Sequence, residues 1–141
     1  MQNELDILAQ SFEIKINNIE KGLYLERYKK DNDIRVVKEL MARNYFLDYF
    51  LKHPNPNVRV LLTKLDYGLP TLLKDPIPAI RMAVAKRNYG LDILKNDPDW
   101  MVRMTVAQQG YKPSEMLKDP HICVKQAVYE LLLKNQKKKN R

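Results

Sequence analysis

Histidine and cysteine are the side chains in this sequence best suited to bind a metal ion or to act in nucleophilic catalysis. The chain contains only His53, His121 and Cys123 of these types. A metal site needs several ligands at compatible spacing, and covalent catalysis needs a nucleophile, a base and an orienting group together. No such grouping recurs along the chain. We therefore predict no catalytic residue, no metal, no cofactor and no enzymatic activity.

Arginine and aspartate recur at a fixed spacing and can form charge-assisted hydrogen bonds with each other. The recurring bases are Arg59, Arg81 and Arg103, and the recurring acids are Asp75, Asp97 and Asp119, each set spaced by 22 residues. A guanidinium and a carboxylate pair well, and either is costly to bury alone. We expect a hydrogen-bonded ladder that ties one repeat to the next. The alternative is a stripe that binds a ligand.

Tyrosine, methionine, tryptophan and basic side chains are the candidates for binding a partner, because aromatic residues and adaptable methionines are frequent at interfaces. The candidate residues are Lys64, Tyr67, Met82, Lys86, Arg87, Tyr89, Trp100, Met104 and Tyr111. Structural alternatives stay open for these residues. The tyrosine rings can pack over the next repeat, and the methionines can pack between neighbouring helices.

The positive charge is concentrated at one end of the chain. The net charge is +8, and residues 120–141 alone contain six bases and one acid. Candidate phosphate contacts in this tail are Lys137, Lys138, Lys139 and Arg141. Alternatively, this tail binds no phosphate and is only the solvated, frayed end of the last helix. Since the rest of the chain is close to neutral, the basic pI does not by itself indicate a nucleic-acid-binding face.

A period of 22 residues organises the elements that must position these side chains. Pro54, Pro76, Pro98 and Pro120 mark it, and apolar residues between them step by three and four, which predicts helices. Residues that tolerate a left-handed backbone end each helix: Asn44, Asp66, Asn88 and Gly110. A second, shorter apolar segment follows, with Asp48, Pro70, Asp92 and Ser114 at capping or first-turn positions.

We predict that the 141 residues form one domain, which the 22-residue period divides into repeats. We predict an N-terminal helical cap at 1–29, repeats at 30–53, 54–75, 76–97 and 98–119, a C-terminal capping helix at 120–133 and a basic tail at 134–141. In this division Ile34-Arg35 corresponds to Val58-Arg59, so that the first repeat carries two extra residues. Leu131, Leu132 and Leu133 are expected to close the stack.

The segments Asp75-Pro-Ile-Pro-Ala-Ile-Arg-Met-Ala-Val-Ala and Asp97-Pro-Asp-Trp-Met-Val-Arg-Met-Thr-Val-Ala resemble HEAT-like repeats. The short period is closest to the leucine-rich-repeat-variant (LRV) class, in which a helix alternates with a short, often 3₁₀, helix. This resemblance implies an all-α fold, a short right-handed α-solenoid of about five two-helix repeats. The cysteine-rich iron–sulfur segment of some LRV proteins has no counterpart here, because residues 1–30 contain no cysteine.

Composition and fold resemblance together favour a non-catalytic module or scaffold that binds a protein or peptide on its helical surface. The alternative is a HEAT-like protein that contacts the phosphate backbone of a nucleic acid through lysine and arginine. No apolar run is long enough to span a membrane. One cysteine cannot form an internal disulfide, so we expect a cytoplasmic protein. The ends look polar enough for a monomer.

Overall fold

The computed structural model describes residues 3–141, and over this range it contains twelve helices and no strand. The predicted all-α class is therefore confirmed. The chain divides into two compact units, an N-terminal unit, Met1–Tyr67, and a C-terminal unit, Gly68–Arg141.

Long and short helices alternate along the chain. The long helices are α2 (Phe12–Glu20), α4 (Ile34–Ala42), α6 (Pro56–Thr63), α8 (Pro78–Lys86), α10 (Trp100–Gln108) and α12 (Ile122–Lys139). The short helices are α1 (Glu4–Leu8), α3 (Leu25–Tyr28), α5 (Leu47–Leu51), α7 (Leu69–Leu72), α9 (Leu91–Leu94) and α11 (Pro113–Met116). We call the segment between a short helix and the next long helix a junction.

The N-caps of the long helices are spaced by 22 residues, and most of them use a polar side chain. They are Ser11, Asp33, Asn55, Ile77, Asp99 and His121. The side chains of Asn55 and Asp99 accept a hydrogen bond from the backbone two residues later, at 2.9 and 2.8 Å. Pro56 and Pro78 occupy the first helical turn. The capping side chains satisfy N–H groups that a helix start leaves unpaired, and proline has no N–H there to satisfy.

Two residues with positive φ follow most of the long helices. The first set ends the helix and includes the predicted Asn44, Asp66, Asn88 and Gly110, with φ between 53° and 78°. The second set starts the short helix and comprises Tyr24, Phe46, Gly68, Gly90 and Lys112. Gly90 has an additional reason to be glycine, because a Cβ there would lie 2.5 Å from Leu73 Cδ1. Asp48, Pro70, Asp92 and Ser114 lie in the first turn of the short helices and are not caps.

The predicted register of the first repeat, 30–53, is wrong by two residues. The N-cap Asp33 precedes Asn55 by 22 residues, so Val36 and not Ile34 corresponds to Val58. Burial agrees, since Val36 is fully buried and Val58 is 3% exposed. Arg35 instead pairs with Asp33 at the surface, and the hydrogen bonds it donates lower the pKa of the Asp33 carboxyl to about 2.

Residues 9–30, most of which fall in the predicted cap at 1–29, have the same elements as the later repeats. Ser11 caps α2, Gly22 and Tyr24 adopt positive φ, and α3 follows. At the other end, α12 does not stop near residue 133 but continues to Lys139, so most of the predicted tail is helical. Leu132 and Leu133 do not close a core, because they are 39% and 56% exposed.

Candidate functional site

In the C-terminal unit, two arginines on long helices form ion pairs with aspartates of the following junction. Arg81 donates from Nε and Nη2 to the carboxylate oxygens of Asp97 at 2.7 and 2.8 Å. Arg103 makes the same bonds to Asp119 at 2.7 and 3.2 Å. The Nη1 of each donates at 2.8 Å to a carbonyl oxygen of the preceding junction, that of Asp75 or of Asp97. Each guanidinium joins two junctions, which confirms the predicted ladder at these two positions.

The aspartates of these pairs are almost buried, and their pKa values are lowered. The side chains of Asp97 and Asp119 are only 5% and 7% exposed. Burial raises the pKa of a carboxyl, but here the hydrogen bonds from arginine and from a backbone N–H outweigh it. The pKa of each aspartate therefore lies below its ordinary value of 3.8. Hydrogen bonding to the carboxylates also raises the pKa of Arg81 and Arg103.

The N-terminal unit has one equivalent ion pair and one position where both partners are replaced. Lys15 pairs with Asp31 at 2.7 Å, and both side chains are buried. The next arginine position holds Val37, 2% exposed, and the next aspartate position holds His53. His53 keeps the local role of the aspartate, because its Nδ1 accepts from the N–H of Asn55 at 3.1 Å. A cavity of about 370 Å³ lies beside Val37 and His53, in place of a guanidinium.

The two histidines and the cysteine are accounted for by local structure. His121 Nδ1 accepts from the N–H of Cys123 at 3.3 Å and so caps α12. Its ring stacks on that of Trp100 with centroids 4.2 Å apart, and Trp100 is half-buried as a result. No cluster of three or more His, Cys, Asp or Glu side chains suited to a metal ion occurs in residues 3–141.

The tyrosine candidates differ in exposure and in partners. Tyr67 donates from its hydroxyl to the carboxylate of Asp48 at 2.6 Å, and this bond raises the pKa of the tyrosine. The ring of Tyr111 is half-buried beneath the ammonium of Lys112, 5.5 Å from its centroid. Tyr89 is 37% exposed. Of the three, Tyr89 is the most accessible to a partner.

The structure does not gather the methionine and basic candidates of the C-terminal unit into one groove. Met82 and Met104 are half-buried on α8 and α10, two helices that pack against each other. Lys86 and Arg87 are exposed at the end of α8. The four side chains lie on α8, at its end and on α10.

Lys64 is the predicted candidate that lines a groove. This groove lies between α4 and the end of α6, has a volume of about 280 Å³, and is lined by Lys38, Met41, Ala42, Leu61, Lys64 and Leu65. Met41 is buried and Leu65 is 44% exposed, so apolar side chains form the floor and one edge. Lys38 is exposed on α4 and Lys64 is exposed at the C-cap of α6, and neither forms an ion pair within residues 3–141.

Lys38 belongs to this groove but was not a candidate from the sequence. At the corresponding place on the other long helices stand Ile16, Val60, Met82, Met104 and Gln126, so no recurring base marked it. Lys38 and Met41 lie three residues apart on α4, and the packing of α4 against α6 brings them to the same groove as Lys64.

The candidate phosphate contacts lie at the end of α12. Lys137, Lys138 and Lys139 are exposed in its last turn, and Arg141 follows the helix. Because the backbone is helical here, the three lysines point in different directions around the axis. They do not form a single basic stripe.

Comparison of the chain with family models, with curated proteins and with solved structures finds no significant match. Among the helices of residues 3–141, none is both long and apolar enough to cross a membrane.

Proposed function

We propose that this chain is a non-catalytic binding module, a short right-handed α-solenoid that holds an acidic peptide segment of a partner protein. The alternation of long and short helices at a 22-residue spacing supports the solenoid, as does the resemblance of the sequence to HEAT-like and LRV repeats. The single cysteine suits a reducing compartment such as the cytoplasm.

The groove between Lys38 and Lys64 is the observation that carries this proposal. Its apolar residues, among them Met41 and Leu65, can receive one large apolar side chain of a peptide. The two exposed ammonium groups have no carboxylate partner within the described chain, so acids flanking that side chain would pair with them. Apolar residues between acids are therefore the chemistry that the groove fits.

Selection of random peptides displayed on phage tests this specificity without knowledge of the partner. Peptides enriched on the full chain should combine a large apolar residue with aspartate or glutamate. Their affinity should fall by at least about tenfold on Lys38→Glu/Lys64→Glu, because two attractions become repulsions.

The matched control is Lys52→Glu/Lys74→Glu, which alters the net charge equally at two exposed lysines outside the groove. This variant should retain the selected peptides. Failure to enrich acidic–apolar peptides, or equal loss on both double variants, would rule out the groove as the binding site.

Nucleic-acid binding is a second candidate, supported by the six bases against one acid in residues 120–141. A labelled DNA duplex should then bind with an affinity that falls steeply as salt rises. Truncation after Leu133 would remove five of the six bases of residues 120–141 and should flatten this dependence. A duplex that does not bind at low salt, or binds equally after truncation, argues against this candidate.

A further inference from the structure

The first and last long helices each expose a face that their counterparts within the same unit bury. On the last helix, Tyr129 corresponds to Ala85 and Ala107, which are 0% and 2% exposed, whereas Tyr129 is 57% exposed. On the first long helix, Ile14 corresponds to Val36 and Val58, which are buried, whereas Ile14 is 49% exposed.

Helix packing inside each unit explains this difference. In the C-terminal unit α10 packs against α8, and α12 packs against α10, so each earlier helix is covered by the one that follows it. In the N-terminal unit α4 packs against α2, and α6 packs against α4, so each later helix is covered by the one that precedes it. Within each unit, one face of a long helix contacts the opposite face of the next long helix. Helix α12 has the first of these faces uncovered, and helix α2 has the second uncovered.

The open face of α12 carries four large apolar side chains. Ile122, Tyr129, Leu132 and Leu133 are 69%, 57%, 39% and 56% exposed. Their spacing of seven, ten and eleven residues from Ile122 places them along one side of the helix. Val124, Ala127 and Val128 are buried on the other side. Exposed large apolar side chains that cluster on one side of a helix mark a surface for interaction.

The charge of α12 indicates which kind of surface would cover its open face. Helix α12 and the residues after it carry six bases and one acid. Helices α1 and α2 carry Glu4, Asp6, Glu13 and Glu20, and their one base, Lys15, is buried against Asp31. Glu4 and Glu20 already pair with bases of their own unit, but Asp6 and Glu13 form no ion pair within residues 3–141. Leu5, 78% exposed, adds apolar surface at this acidic end.

We propose that the acidic N-terminal helices of a second copy of this chain dock on the exposed face of α12, so that copies associate head to tail. Such a contact joins two different surfaces, so a pair of copies held by one contact leaves one of each surface free and can add further copies as concentration rises. The interface is separate from the groove between Lys38 and Lys64.

Sedimentation of the full chain over about a hundredfold range of concentration tests this proposal. The weight-average mass should rise from the 16.7 kDa monomer to beyond twice that value, and it should fall at high salt. Leu133→Glu and Ile14→Glu should each be monomeric throughout, because each blocks one end. Both residues are exposed, so the far-ultraviolet circular dichroism of these variants should match that of the parent chain.

A mixture of the two variants separates head-to-tail contact from other modes of association. Ile14→Glu retains an intact α12 face and Leu133→Glu retains intact N-terminal helices, so together they should form a one-to-one dimer and nothing larger. The control Ile93→Glu, at a position 56% exposed on α9, should associate like the parent chain. A monomeric parent chain, self-association of either variant alone, or no dimer in the mixture would each overturn the proposal.

Discussion

The junctions at Asp97 and His53, one in each unit, form the same local turn with different side chains. In the C-terminal unit Asp97 accepts from the N–H of Asp99 at 2.9 Å and also binds the guanidinium of Arg81. In the N-terminal unit His53 makes the corresponding local bond to Asn55, but the arginine position holds Val37. The residue at a junction therefore has two separable tasks, to shape the turn and to bind the preceding long helix. Only the second requires a charged pair.

The largest expected effect comes from removing one member of a pair. Arg81→Val leaves the Asp97 carboxylate, 5% exposed, without its bidentate partner. We expect the free energy of unfolding to fall by about 3 kcal/mol, since breaking a buried ion pair leaves an uncompensated charge. Arg81→Val/Asp97→His copies the N-terminal arrangement and should lose only about 1 kcal/mol.

Urea denaturation near neutral pH measures both variants. If the double variant is as unstable as Arg81→Val, the histidine does not replace the aspartate in the turn, and the two tasks are not separable. If Arg81→Val/Asp97→His is more stable than Arg81→Val, the two tasks of the junction residue are separable.

The converse change should build an ion pair in the N-terminal unit. In Val37→Arg/His53→Asp, the guanidinium would occupy the cavity of about 370 Å³ and bind the new carboxylate. We expect a gain of about 1 kcal/mol, the usual net value of one hydrogen bond, because burying the two charges offsets the rest of their attraction. Thermal unfolding of the double variant and of both single variants measures this. A double variant less stable than either single variant would show that the cavity does not accept the pair.

The smallest expected effect is on the pH dependence of stability. Because the pKa values of Asp97 and Asp119 are lowered in the folded protein, their contribution is complete above the unfolded value and is lost as the pH falls through the folded values. Arg81→Val/Asp97→Asn should therefore lose less stability between about pH 5 and about pH 3 than the parent chain. Parallel curves of unfolding free energy against pH for the two proteins would contradict this.

Much of the local structure followed from residue types whose backbone preferences are strong. Asn44 and Asn88 end helices in the left-handed region, as the sequence predicted, and Pro56 and Pro78 lie in the first turn of α6 and α8. The register of the first repeat was mistaken because Ile34-Arg35 imitates Val58-Arg59 at the level of residue type. Its correct position depends on which isoleucine or valine is buried, and burial is a property of the packed helices.

Other features left weak signals in the sequence or none. Tyr24, Phe46 and Lys112 adopt positive φ although their types disfavour it, so nothing marked them as starts of short helices. Helix α12 extends to Lys139 because Lys and Gln are good helix formers and no breaker intervenes. The groove beside Lys64 depends on Lys38 of another helix, and such a pairing across helices is visible only after folding.

The arginines of the C-terminal unit bind partners that are close to them in the sequence. Arg81 binds six residues back, at Asp75, and sixteen residues ahead, at Asp97. The entropy lost on closing a loop grows only with the logarithm of its length, and loops this short close quickly. Proteins dominated by such near-neighbour contacts fold faster than those that must first join distant segments. Each junction of the C-terminal unit can therefore form early and by itself, so folding can start at more than one point along the chain.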